Sequence, residues 1–270
     1  MEKKPMADHM PHGWALQADS LACMRHGFFT RLGGVSPAPF NSLNCSLASA
    51  DRPENIAENR GRVARFLGVD SSFLLGLTQI HSADVITLTS RTPLWQTGRG
   101  PAADALVSNR DDVALGVITA DCGPVLFASL DGQIVGAAHA GWRGAVGGII
   151  EATLSAMTAL GAGDVVACVG PCIRQESYEV GAEMREAVLD SSPEAGHFFI
   201  PAPRDGHYLF DMPGYCLHRL RRAGLHHVSM IGLDTCPDTR RFFSHRRRTL
   251  AGGGAIGHQI SAIRAGVRQR

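Results

Sequence analysis

Cys122 and His139 are the residues whose types and spacing point most directly to chemistry. They stand at the outer ends of two apolar runs, Pro124–Leu130 and Gln133–Ala138, that flank Asp131-Gly132. An Asp-Gly pair between such runs signals a β-hairpin, because both central positions of a type I′ turn need positive φ. A two-residue turn there sets His139 opposite Pro124, with Cys122 one step further along the same strand. The two side chains then share a face, roughly 7 Å apart at the backbone. A thiolate and an imidazole at that separation can share one metal ion, or act as nucleophile and base. The plain structural alternative is a buried Cys and a hydrogen-bonded His at a strand end. Asp121, Trp142 and Arg143 crowd the same two ends and favour a site.

Other segments must position this pair. Leu74–Ile80 reads as a strand that delivers Gln79 and His81, and a lone His after a strand gains weight only if something pairs with it. Val113–Thr119 is an apolar strand feeding Asp121, and Asp104 marks a loop-to-strand junction. The stretch from Gly141 opens a helix running to about Gly161, whose first turn with Arg143 offers an anion contact. Arg31 beside Gly33-Gly34 is a second candidate anion clamp. A helix capped by Asp51, with Pro53 in its first turn and Gly68 as its stop, reads as scaffold. Strands at Val165–Gly170 and Val228–Leu233, a helix at Pro213–Ala223 and a closing strand at Ala255–Ile263 complete one α/β domain of mixed sheet with helices packed outside.

Composition narrows the class. The chain has 270 residues, 44% hydrophobic and 19% charged, with a net charge of +1. That charge gives no reason to expect a nucleic-acid or membrane partner. No apolar run reaches the length of a membrane span and no secretory leader is read at the amino terminus, so the expectation is a cytoplasmic protein. Seven cysteines form no CxxC pair, which fits reduced thiols better than disulfides. Oligomeric state is not legible.

Several segments together resemble one family. They are Gln79-Ile80-His81-Ser82, Thr119-Ala120-Asp121-Cys122-Gly123-Pro124, His139-Ala140-Gly141-Trp142-Arg143-Gly144, Gly170-Pro171-Cys172-Ile173 and Phe243-Ser244-His245-Arg246. In order, over roughly residues 25 to 265, they resemble the YfiH/laccase-domain family, once labelled multicopper polyphenol oxidase. The resemblance implies an α+β fold with two central mixed sheets between outer helices, layered α/β/β/α. The residues themselves, unpatterned before Trp14, suggest one domain over residues 14–270 behind a flexible stretch, 1–13. The resemblance also implies a metal held by His81, Cys122 and His139, and phosphorolysis of adenosine, inosine, guanosine and methylthioadenosine, with adenosine deamination as a second activity. The chain departs from the family pattern at His245, where a Tyr is usual, at Arg248–Gly254, and at Asn44-Cys45-Ser46. These departures bear on substrate range.

Two imidazoles and a thiolate suit zinc at a three-ligand site with an open position, with copper as the alternative. For such chemistry Asp121 is the candidate proton carrier, and Arg143 and Arg31 are candidates for phosphate because a guanidinium fork matches it bidentately. Asn44 and Gln79 are candidates to hydrogen-bond the nucleoside. Three alternatives stand beside this reading. A copper-dependent polyphenol oxidase of the multicopper type is disfavoured because no His-x-His occurs among the twelve histidines. A cysteine hydrolase or amidase acting on cell-wall precursors would use Cys122 as nucleophile and His139 as base. A metal-stabilised binding protein would catalyse nothing.

Overall fold

A computed structural model describes residues 10–95 and 100–267. Residues 1–9 of the expected flexible stretch therefore lie outside the described residues. The folded chain begins ahead of Trp14, because Met10 packs against the cluster around Phe29 and Leu67 and the Trp14 N–H bonds to the Pro11 carbonyl at 3.1 Å.

The chain opens with β1 (Ala15–Leu16) and β2 (Met24–Phe29), then enters α1 (Pro53–Leu67). Next come β3 (Leu74–Leu75), β4 (Val85–Leu88), β5 (Ala105–Ser108), β6 (Ala114–Thr119), and the hairpin of β7 (Gly123–Ser129) and β8 (Val135–Ala140). Helices α2 (Trp142–Gly147) and α3 (Ile149–Ala159) lead to β9 (Val165–Val169) and β10 (Glu179–Gly181). α4 (Ala182–Ser191), β11 (Phe199–Pro201), β12 (His207–Phe210) and α5 (Met212–Arg222) follow, and β13 (His227–Met230), α6 (His245–Leu250) and β14 (Gln259–Val267) close the fold.

Two large sheets run in the orders β1-β2-β14-β6-β3 and β13-β9-β7-β8-β5-β4. Both mix parallel and antiparallel pairs. A small antiparallel sheet, β10-β12-β11, adds to the two that the resemblance implied. Phe28, Leu115, Leu126 and Ala137 meet between the two large sheets. Val125 and Phe127, pointing the other way on β7, pack under α3 and α5 with Ile150 and Leu217. On the far side Val63, Ala64 and Leu67 of α1 cover Ala114, Ile260 and Ala262. The result is a single domain of α/β/β/α layers. β7 and β8 are buried along their whole length, which is why their sequence reads as continuous apolar runs rather than an alternation.

Four local expectations are corrected. The hairpin has the expected register, with Pro124 opposite His139, but not the type I′ turn. Gly132 takes φ 73° while Asp131 keeps negative φ, because the Asp131 carboxylate accepts hydrogen bonds from the Ser129 hydroxyl and the Gln133 N–H. The strand expected over Leu74–Ile80 stops at Leu75, since the Gln79 amide bonds both to the N–H and to the carbonyl of Ile118, each at 2.8 Å. The helix expected from Gly141 to Gly161 breaks at Gly148, which takes φ 94°. The cap of α1 is Arg52, and Asp51 instead accepts from the Arg52 N–H and from the Asn55 side chain.

Candidate metal and substrate site

The hairpin register carries Cys122 and His139 onto the face of their sheet that looks towards the other sheet, the face shared by Leu126 and Ala137. His81 arrives from the irregular segment after β3 and carries φ 60°, a left-handed backbone that is uncommon away from glycine and costs strain. The three side chains converge. Their ligand atoms all lie within 4.8 Å of one another, with Cys122 Sγ 3.9 Å from His81 Nε2 and the imidazole rings edge to face at 4.8 Å. Among the described residues this is the one group of three or more His, Cys, Asp or Glu donors placed to hold a metal. A trinuclear copper centre needs more donors than that.

Asp104, fully buried, holds the triad together. One carboxylate oxygen meets His139 Nδ1 at 2.8 Å. The other accepts from the Ile80 N–H, the Ser82 N–H and the Ser82 hydroxyl at 3.1, 2.6 and 2.9 Å. A single side chain thus orients the His139 ring, leaving its Nε2 for a ligand, and pins the turn that carries His81. A carboxylate behind a ligating imidazole is the usual second partner of a metal-bound histidine. Burial opposes ionisation of Asp104, but the hydrogen bonds from His139 and Ser82 outweigh it and hold the carboxyl down at about 2. Burial likewise disfavours the Cys122 thiolate, yet His139 and His81 overcome this and bring the thiol down to about 6. On His139 the burial cost is exceeded by the Cys122 thiolate and Asp104, which raise it to about 9. The donor set therefore favours a thiolate, the form that binds metal.

Gly141 keeps the space open. A Cβ there would stand 2.7 Å from His81 Cδ2 and 3.2 Å from Cys122 Sγ. Gly141→Ala is expected to displace His81 and lower metal affinity about 10-fold or more, the scale of a disturbed ligand environment. Metal retained per chain after dialysis against a weak chelator reads this directly, and unchanged retention would mean that the ring has room to move.

The triad opens into a cavity of about 680 Å³, within the range of small-molecule sites. Trp142, Tyr178, Met212, His245 and Arg246 line it near the triad. Arg60, His258 and the Cys45–Ala48 loop line it as well. Two shielded polar atoms of the lining, Thr119 Oγ1 and His258 Nδ1, have no hydrogen-bond partner.

The remaining sequence candidates fall differently. Asp121 lines the cavity, but its carboxylate accepts from the Thr235 hydroxyl (2.6 Å), the Ser244 hydroxyl (2.9 Å) and the Arg246 N–H (2.6 Å). With φ 88°, it fastens the start of α6 against the cavity through these bonds. Arg143 does not line the cavity; its guanidinium lies over the Trp142 indole at 4.4 Å. Arg31 bonds to the carbonyls of Asn41 and Thr239 and stacks over Phe243 at 4.5 Å, tying loops together away from the cavity. Neither arginine is among the residues that line the cavity. Asn44 is buried and shapes the Cys45–Ala48 loop by donating to Ser49 and Asp51 and accepting from the backbone N–H groups of Ser46 and His258. Gln79 does line the cavity, with its amide committed to Ile118. Sequence reading missed the role of Asp104 and the place of Arg60 in the cavity lining. Arg60 left a signal, a charge on the apolar stripe of α1.

A sandwich of two sheets between helices, with a His–Cys–His centre opening into a ligand-sized cavity, defines the class as a metal-competent small-molecule site on an α/β/β/α frame. Comparison with known proteins gives that class its family: the sequence pattern described as multi-copper polyphenol oxidoreductase laccase matches residues 25–265, and the chain belongs to that family. It is 37% identical over 242 residues to a purine nucleoside phosphorylase of Pseudomonas aeruginosa, spanning 88% of this chain and 93% of that protein. It is 38% identical over 225 residues to purine nucleoside phosphorylase YfiH of Escherichia coli, spanning 83% and 88%. Among solved structures, a Neisseria meningitidis protein superposes with a TM-score of 0.82 at 34% identity, covering 93% of this chain and 99% of that one. The YfiH protein of Bacillus licheniformis gives 0.85 at 25% identity, with coverage of 95% and 99%. Among the described residues no helix is long and apolar enough to cross a membrane.

Proposed function

We propose that this chain is a purine nucleoside phosphorylase that works with a divalent metal held by His81, Cys122 and His139. The observation that carries the reading is the triad itself, ordered by Asp104 and opening into a cavity of nucleoside size. Relatives that span most of the chain and are named purine nucleoside phosphorylases support it. In the reaction a phosphate oxygen bonds to ribose C1′ as the C1′–N9 bond breaks. The purine leaves with that bonding pair and takes up a proton.

Zinc suits the two imidazoles and the thiolate, and a metal there supplies Lewis acidity. Copper binds such donor sets more tightly, which is the basis of the polyphenol oxidase alternative. The chain's own residues orient the substrates. Trp142 and Tyr178 offer aromatic faces for a purine; Asp121 holds the Arg246 backbone N–H, and the Arg246 guanidinium donates to the Glu179 carbonyl and lies over the Tyr178 ring at 5.6 Å. A second reading, with Cys122 as nucleophile, is favoured by the depressed thiol beside His139.

Purified protein given inosine is expected to release hypoxanthine only when phosphate is present, with ribose 1-phosphate appearing in the phosphorus NMR spectrum in equal amount. Release at the same rate without phosphate would make the enzyme a hydrolase, and no release from any purine nucleoside would remove the reading. Ammonia release from adenosine in the same protein tests deamination, the second activity.

A further inference from the structure

Arg60 is a feature of the cavity that the triad does not account for. On α1 it shares the buried stripe with Ile56, Val63, Ala64 and Leu67, and only 8% of its surface is exposed. Its guanidinium donates to the carbonyls of Leu74 at 2.7 Å and Cys45 at 3.4 Å. Among the described residues no carboxylate lies within ion-pair distance of it. A buried cation without an anion is costly, and a guanidinium has more donors than two carbonyls satisfy. The backbone opposite is bare. A Cβ at Gly76 would stand 3.7 Å from Arg60 Nη2, and glycine leaves that space to the cavity.

His258 adds an unpartnered polar atom to the lining of the same cavity. Its Nδ1 is shielded from solvent and has no hydrogen-bond partner, although the residue lines the cavity. Burial, reinforced by His139, His245 and Arg248, holds the imidazole at about 4, so at neutral pH it offers a hydrogen bond rather than a charge. The backbone of one residue, Cys45, bonds to both. The Cys45 carbonyl accepts from Arg60, and the Cys45 N–H donates to the His258 carbonyl at 3.0 Å. Asn44 fixes this arrangement by accepting the His258 N–H at 3.0 Å.

We propose that Arg60 and His258 form an oxyanion subsite of the cavity, walled by the Cys45–Ala48 loop, that takes inorganic phosphate. A guanidinium fork matches two phosphate oxygens, and the imidazole can satisfy a third. The identity of the anion as co-substrate rests on the phosphorolysis reading; the binding of an oxyanion at this wall does not.

The test measures initial rates against phosphate at saturating inosine, and against inosine at saturating phosphate, for wild type, Arg60→Lys and His258→Leu. Loss of a charge-assisted fork is expected to raise the phosphate KM of Arg60→Lys by about 30-fold, and loss of one neutral hydrogen bond to raise that of His258→Leu by about 5-fold. The inosine KM should move less than about 3-fold in both. Unchanged phosphate KM in both variants, or equal shifts for phosphate and inosine, would overturn the subsite. Arg60 also ties Leu74 and Cys45 together, so Arg60→Lys is checked for a wild-type near-ultraviolet dichroism spectrum; if it does not fold, His258→Leu decides alone. If wild type shows no phosphate-dependent cleavage, the phosphorolysis reading fails, and the subsite is judged by calorimetric titration with inorganic phosphate. Binding by wild type that weakens in His258→Leu supports the subsite then, and no binding, or equal binding, rejects it.

Discussion

Cys122→Ala is expected to lose its metal and its phosphorolytic activity together: from about one ion per chain to almost none, with a fall in kcat/KM of about 1,000-fold or more. The reason lies in the ligand set. Cys122 supplies the one anionic donor of the triad, and removing it leaves two imidazoles whose ligand atoms were brought within 4.8 Å of the thiol. Cys122 is half-buried at the end of β7, and truncation there removes no core contact of the Phe127 kind, so the fold should survive. Metal content by plasma emission and hypoxanthine release from inosine check the two losses. Cys122→Ser separates the readings. If the serine variant keeps a full complement of metal and is nonetheless dead, the thiol acts as a nucleophile and not as a ligand.

Asp104→Asn has the second largest expected effect, because this one carboxylate serves two ligands. The amide cannot accept on both oxygens, so either the His139 ring or the Ile80–Ser82 turn loses its hold. Metal affinity is expected to fall about 10- to 100-fold, as for other partners of ligating histidines, with activity restored by excess metal. Restored activity is the sign of a positioning residue; a loss that excess metal does not relieve would point to a direct role in the reaction. The variant should also be less stable in the metal-free state, by about 2 kcal/mol at neutral pH. The sign follows from Asp104 lying below its ordinary value: a carboxyl at about 2 in the folded chain, against 3.8, stabilises at every pH above its unfolded value. That contribution is lost as the pH falls through about 2. Urea unfolding of the metal-free proteins at pH 7 and pH 3 measures it, and the gap between wild type and variant should narrow at the lower pH. An equal gap at both would assign the destabilisation to packing.

The hairpin was legible because two constraints agree in the sequence, an Asp-Gly turn and apolar runs on either side. They set the register even though the turn itself is closed by the Asp131 side chain rather than by two positive φ angles. The layers were legible in the same way, from strand and helix signals joined to a family resemblance. His81 was not legible from spacing. It leaves no ordered strand, and its approach to Cys122 depends on Asp104 and on the bonds between Gln79 and Ile118, which join positions 39 apart in the chain. The same physics governs the other candidates. Arg31 and Asn44, candidates for substrate, and Asp121, the candidate proton carrier, each hydrogen-bond to partners distant in sequence, Thr239, His258 and Ser244 among them. Side-chain type is written in the sequence, whereas which hydrogen bonds are already taken is decided by tertiary contacts. Arg60 is the instructive contrast: a cation on the apolar stripe of α1 breaks the helical pattern, and that break marks a residue of the cavity lining where the helix as a whole reads as scaffold.

Phosphorolysis by this protein should depend on metal held by His81, Cys122 and His139. The most direct measurement strips the wild-type protein with chelator, then titrates zinc back while recording bound metal and phosphate-dependent hypoxanthine release in the same samples. Activity should rise in proportion to occupancy and saturate at about one ion per chain. Full activity in the stripped protein, or activity that stays absent when one ion per chain has rebound, would contradict that dependence.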